Sequence, residues 1–274
     1  MIQFDRFFAG EGFLAGESGL AEFTWYRGGI TMRLFYIRHG QSENNALWDE
    51  TGSSSGRSED PELTAVGHEQ AKILAEFIAH KDVEARADGK NGGLNRNSFG
   101  FTHLYTSLMV RSVATGTYLS KSLNLPLVAW PEIHECGGMY ADGEEEGLRI
   151  GRPGKPRSYF VQNYCDLVLP NTLTESGWWN RPFETHEDRP LRAQQVLEML
   201  LERHGGTEDR VAFVSHGGFY MELMRVMFNL GDRNSWYLMN NTAVSRFDIY
   251  EGAEINITMV YHNRTDHLPE RLVT

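Results

Sequence analysis

Cysteine is scarce in this 274-residue chain: Cys136 and Cys165 are its only two. That is too few for a disulfide-stapled fold, so a reducing, cytoplasmic setting is expected. Basic residues are also in deficit, with 26 Lys and Arg against 37 Asp and Glu and a formal net charge of −11. A nucleic-acid partner is therefore not expected, because phosphate backbones are held mainly by clustered Lys and Arg. No apolar run approaches the roughly 18 residues of a membrane helix, so no membrane partner is expected either. What is present, 41% hydrophobic and 23% charged residues, is the composition of an ordinary globular chain forming one large domain or two small ones.

Residues 1–31 hold many aromatics, among them Phe4, Phe13, Trp25 and Tyr26, without a helical or strand period. Glu11 and Glu17 interrupt any signal-peptide-like stretch. Met32 opens a much cleaner segment, so residues 1–31 are read as an extension and possible start-site artefact preceding a domain over 32–274. From Met32 onward short apolar strands alternate with amphipathic helices, the pattern of an α/β protein with a mostly parallel sheet. Strands are predicted at 34–37, 101–106, 127–130, 211–215, 242–250 and 255–262, and helices at about 64–80, 109–123, 190–204 and 217–230. Residues 81–100 read as an exposed loop. The pattern dissolves over about 136–188, an irregular insertion of the length usually reserved for a lid or substrate wall.

Two histidines occupy equivalent places: His39 follows the strand Leu-Phe-Tyr-Ile, and His216 follows Val-Ala-Phe-Val. In open α/β sheets ligands bind beyond the carboxyl ends of strands, so both imidazoles are delivered to the edge where sites form. Gly40 and the Gly217-Gly218 pair follow them and let backbone N–H groups approach an anion. Arg38 precedes His39, and Arg111 lies early in the second predicted helix, after the strand that ends near Thr106, two guanidinium forks matched to phosphoryl oxygens. Singly, each part has a bland reading as a structural or solvated side chain; their joint placement after successive strands points to a phosphoryl receptor.

The blocks Leu-Phe-Tyr-Ile-Arg-His-Gly-Gln-Ser-Glu-Asn-Asn at 34–45, Leu-Thr-Ala-Val-Gly-His-Glu-Gln-Ala at 63–71, Tyr-Thr-Ser-Leu-Met-Val-Arg-Ser-Val-Ala-Thr at 105–115 and Val-Ser-His-Gly-Gly at 214–218 resemble, in order and spacing, the histidine phosphatase superfamily. That group includes cofactor-dependent phosphoglycerate mutases and broad-specificity phosphatases. The resemblance implies a three-layer sandwich, a mostly parallel central sheet flanked by helices, and a small phosphorylated substrate. It implies that His39 is the nucleophile that becomes a phosphohistidine, that Arg38, Arg111 and His216 hold the phosphoryl oxygens, and that Asn45 and the backbone of Gly217 add polar contacts. Fixed donors meet the charge on the transferring group, so neither a metal nor another cofactor is required. The acid that protonates the leaving oxygen lies, by the same resemblance, at Glu135, with Glu132 as the alternative in Trp-Pro-Glu-Ile-His-Glu-Cys-Gly-Gly.

The remaining features carry mostly structural readings. Thr64 is a helix cap. The acids of 142–146 are a solvated loop, Arg152, Lys155 and Arg157 a basic loop or second anion contact, and Trp178 and Trp179 core. The other histidines lack metal-ligand spacing. The expected activity is a metal-independent phosphomonoesterase. A phosphoglycerate mutase is the first alternative, disfavoured because its Glu-Arg-His-Tyr-Gly pattern is here Glu-Cys-Gly-Gly. A non-catalytic phospho-ligand module on the same scaffold is the second.

Overall fold

The computed structural model describes residues 30–88, 99–145, 147–231, 235–252 and 254–274; the extension read over 1–31 lies almost wholly outside them. In chain order the elements are β1 (Met32–Arg38), α1 (Glu43–Thr51), α2 (Ala65–Asp88), β2 (His103–Thr106), α3 (Val110–Leu123), β3 (Leu127–Ala129), β4 (Tyr140–Asp142), β5 (Arg149–Gly151), α4 (Arg157–Asn163), β6 (Leu167–Val168), α5 (Asp188–His204), β7 (Asp209–Ser215), α6 (Gly217–Phe228), β8 (Val244–Glu251) and β9 (Ile255–Arg264). Seven strands form one sheet in the order β6-β3-β2-β7-β1-β8-β9. Pairing is parallel from β6 through β1 and antiparallel at β8 and β9. The α/β three-layer fold expected from the sequence is therefore the one observed.

The period of two along β1 sorts its side chains onto two cores. Phe35 and Ile37 join Leu74, Ile78 and Val113 under α2 and α3, whereas Leu34 and Tyr36 join Leu197, Leu200, Phe213 and Leu223 under α5 and α6. A strand covered on both faces reads as an unbroken apolar run, which is why Leu34 to Ile37 was legible. The second core closes over α6, whose Phe219, Tyr220, Leu223 and Met224 are all buried. Trp178 and Trp179 are buried as well.

Three local readings need correction. The segment 81–88, read as loop, continues α2; Lys81 to Asp88 contains Ala, Glu, Lys and Arg with no Gly or Pro, so helix propensity carries through. The rest of that predicted loop, 89–98, lies outside the described residues. Helix α1 was not foreseen, because it buries no side chain and so has no apolar stripe. It stands on a reciprocal cap: Asn45 N–H donates to Ser42 Oγ, and Ser42 N–H to Asn45 Oδ1. The stretch 136–188 is also more regular than its sequence, with the β4–β5 hairpin, α4 and the edge strand β6, all too short to show a period.

Candidate active site

Parallel pairing places Arg38 opposite Ser215 and Thr106 opposite Val214, so β1, β7 and β2 end at one edge. His39, His216 and Ser107 leave that edge together. The His39 ring is buried, with Nδ1 2.7 Å from the Gly40 carbonyl oxygen. That oxygen only accepts, so the proton sits on Nδ1 and the lone pair on Nε2. Arg111 Nε donates to this Nε2 at 3.1 Å. Burial, followed by the positive charges of Arg111 and Arg38, holds the His39 pKa well below the ordinary imidazole range, which keeps the ring neutral and nucleophilic.

The His216 ring lies 5.1 Å from that of His39. Its Nε2 is 2.7 Å from Ser107 Oγ and 3.2 Å from Ser112 Oγ. Ser107 Oγ accepts the Met109 N–H and keeps a hydrogen that it can donate to Nε2; in that tautomer the His216 proton is on Nδ1. That Nδ1 is buried and has no protein partner. Burial again comes first, with Arg111 and His39 next, in lowering the His216 pKa well below its usual range. Arg38 Nη1 donates to the Met239 carbonyl at 2.5 Å, while its buried Nε has no protein partner. Arg111 is set by Asp60, whose Oδ1 lies 3.9 Å from Nη1 and accepts the Val110 N–H at the start of α3. Burial outweighs the pull of Arg111 and pushes the Asp60 pKa up to about 6. Arg111 thus meets the His39 lone pair directly, the His216 ring lies beside the His39 ring, and the Arg38 charge acts on His39, a set of donors suited to a tetrahedral dianion.

Asn45 Oδ1 is consumed by Ser42 and by Asn241 Nδ2 at 3.3 Å, leaving its NH2 as the end that can meet an anion. Asn45, Arg38, Glu135 and Gly217 line one cavity of about 510 Å³. Glu135 sits at the N-terminus of α6, its Oε1 accepting from Cys136 and Phe219 N–H and its Oε2 from Gly218 N–H, a favourable place for a carboxylate. Glu132 instead contributes its carbonyl, which accepts from Arg192 Nη1 at 2.7 Å. The loop carrying Glu135 is pinned by a buried ion pair: Arg192 binds Glu184 through Nε–Oε1 at 2.5 Å and Nη2–Oε2 at 2.9 Å, and Glu184 Oε2 accepts the Gly137 N–H. The irregular insertion thus supplies a buried support as well as cavity wall. Among the described residues His103, His204 and Asp209 do lie close together, at the starts of β2 and β7 and the end of α5. They sit at the opposite edge of the sheet from His39.

Sequence reasoning missed Ser107, Ser112, Asp60, Asn241, Glu184 and Arg192. Ser107 and Ser112 stood inside a recognised block but gave no sign of touching His216. The 63–71 block proves to be a brace. Thr64 caps α2 as expected, its Oγ1 accepting the Gly67 N–H, and it also donates to Gln41 Oε1 at 2.7 Å. Gln70 Oε1 accepts the Gln41 N–H. Gly40 and Gly67 let the two backbones meet: a Cβ at Gly40 would lie 2.5 Å from the Gly67 carbonyl oxygen, and one at Gly67 would overlap the Gln41 carbonyl oxygen. Gly67→Ala is therefore expected to cost about 1–3 kcal/mol of stability and to lower turnover by shifting the loop after His39. A urea midpoint equal to wild type would contradict this packing argument.

A sequence model of the histidine phosphatase superfamily (branch 1) matches residues 34–87 and 93–261. The "Probable phosphoglycerate mutase GpmB" of Yersinia enterocolitica is 23% identical over 221 residues, covering 80% of this chain and 86% of that protein. Among solved structures, a mycobacterial glucosyl-3-phosphoglycerate phosphatase matches with a TM-score of 0.53 at 17% identity, over 85% of this chain and 99% of that one. A phosphoserine phosphatase from Entamoeba histolytica matches with a TM-score of 0.51 at 17% identity, over 87% and 100%. The structural likenesses bear on the fold, the sequence match spans both strand-end histidines, and on that match the chain belongs to the histidine phosphatase superfamily.

Proposed function

We propose that the chain is a metal-independent phosphomonoesterase that acts through a phosphohistidine. The observation that carries this reading is a buried His39 with Arg111 on its Nε2 and the His216 ring 5.1 Å away, while Arg38 Nε and His216 Nδ1 have no protein partner. In the first step, with Glu135 in its protonated form, His39 Nε2 attacks phosphorus, the bond to the leaving oxygen breaks, and Glu135 gives that oxygen its proton and becomes the carboxylate. In the second, Glu135 takes a proton from water, the water oxygen attacks phosphorus, and the P–N bond breaks to release phosphate. Arg38, Arg111, His216 Nδ1 and the Asn45 amide meet the equatorial charge. The phosphorylated-substrate class and the absence of any metal step follow from this donor set, and the acidic chain concentrates its positive charge locally at the site.

Release of phosphate from p-nitrophenyl phosphate in the presence of EDTA, followed from pH 8 to pH 5, tests the reading. Because the His39 pKa is depressed, the nucleophile stays neutral as pH falls through 6.5 and costs no activity there. The ester's own second ionisation lies roughly a unit below the value of about 6 for a protein phosphate ester, because the nitrophenyl group withdraws charge, so it removes only about a tenth of kcat/KM at pH 6. An unperturbed imidazole would remove a further factor of about four. No phosphate release, or loss of release on adding EDTA, would overturn the proposal, and an approximately fourfold fall at pH 6 would overturn its account of His39. The mutase alternative predicts instead turnover of phosphoglycerate with a bisphosphoglycerate primer and little free phosphate.

A further inference from the structure

The cavity above the phosphoryl-binding groups has two further surfaces. The first is apolar and unusually open to water: Trp48 on α1 is 57% exposed, and Trp236 and Leu238, in the segment before β8, are 65% and 61% exposed. Single exposed apolar side chains are unremarkable. Three of them lining the same cavity as Arg38 and Asn45 are a concave apolar surface next to a reactive centre, the usual form of a ligand wall. The second surface is cationic. Arg149 on β5 and Arg189 on α5 flank Phe183, their guanidinium carbons 4.9 and 5.9 Å from its ring centre.

Both arginines line the same cavity, and among the described residues neither is paired with a carboxylate. Arg189 Nη1 meets His186 Nδ1 at 2.9 Å, and its buried Nε has no partner. A guanidinium fixed on an aromatic face and left without an acid is a ready receptor for a second anion. The cavity's own acids do not fill that part: Glu135 is committed to backbone N–H groups of α6, and Asp49 stands beside Trp48 on α1.

Resting on the phosphomonoesterase reading, we infer that the site is built for phosphomonoesters whose leaving group is a flat apolar or aromatic body carrying a second anionic group. Trp48, Trp236 and Leu238 cover the body; Arg149 and Arg189 hold the anion.

The test measures binding separately from turnover. On the His39→Ala protein, quenching of tryptophan fluorescence and calorimetry are used to titrate ethyl phosphate, phenyl phosphate and 4-carboxyphenyl phosphate. Phenyl phosphate is expected to bind about tenfold tighter than ethyl phosphate, and the carboxylate to add about another tenfold. Adding Arg149→Ala and Arg189→Ala should remove the gain from the carboxylate. Adding Trp48→Ala and Trp236→Ala should remove the gain from the ring. Affinities within twofold across the three esters, or gains that survive those substitutions, would overturn the inference whether or not the variants are fully stable, because the first comparison needs neither pair. Failure of the wild-type protein to hydrolyse any of the three would overturn the phosphatase reading instead, with the affinity ranking still deciding the subsite.

Discussion

Replacement of His39 by alanine is expected to lower kcat/KM for phosphate esters by about 10³-fold or more, the scale seen when a covalent nucleophile is removed. It should also abolish a phosphorylated enzyme species caught by acid- and base-resolved quenching. The magnitude follows from how little else at the site can attack. His216 is committed through Nε2 to Ser107 and Ser112. Cys136, the nearest thiol, is pushed far up in pKa by burial and then by the charge of Glu135, so thiolate is not available. His39 alone presents a lone pair toward Arg111, at 3.1 Å, beside a backbone that orients its other nitrogen. Incorporation of phosphoryl into the alanine variant, or turnover within tenfold of wild type, would remove His39 from the nucleophile's role.

The same residues show why part of this site was legible in the chain and part was not. His39 and His216 could be read because each stands one residue past a four-residue apolar run, and runs of that kind become parallel strands whose ends share an edge. Arg38 and Arg111 were legible for the same reason, one being the last residue of β1 and the other lying in the first turn of the helix after β2. The supports were not. Asp60 reaches Arg111 across 51 positions, Asn241 reaches the His39 carbonyl at 2.9 Å across 202, and Arg192 reaches the Glu132 and His134 carbonyls just before Glu135 across about 60. Polar side chains that meet only in the folded state leave no period and no spacing.

Helix α1 and the continuation of α2 to Asp88 escaped through the opposite fault, since the reading leaned on apolar stripes where capping and propensity decide. The block at 63–71 sits between these cases. Its cap at Thr64 was visible locally, whereas its grip on Gln41 through Thr64 and Gln70 exists only because α2 passes under the loop that follows β1.

Glu135→Gln is the second substitution expected to have a large effect, and its size should depend on the ester. A general acid contributes about 10²–10⁴-fold where the leaving oxygen is a poor leaving group. An alkyl phosphate should therefore lose activity on that scale, while p-nitrophenyl phosphate, whose leaving group departs without a proton, should lose far less. The comparison separates chemistry from architecture. Glutamine keeps the volume of Glu135 but must turn an NH2 toward one of the α6 N–H groups that the carboxylate now accepts, from Gly218 or Phe219. Disturbance of that kind slows every ester by a similar factor, whereas a missing proton donor steepens the dependence on leaving-group basicity. Glu132→Gln is the matched control, because its backbone carbonyl meets Arg192 and its carboxylate does not line the cavity shared by Arg38 and Glu135. Equal losses for both esters in Glu135→Gln, or a steepened dependence in Glu132→Gln, would transfer the acid's role away from Glu135. A flat response in both would leave the leaving oxygen to take its proton from solvent, which a loop clamped by the Arg192–Glu184 pair beside the helix N-terminus is poorly built to admit.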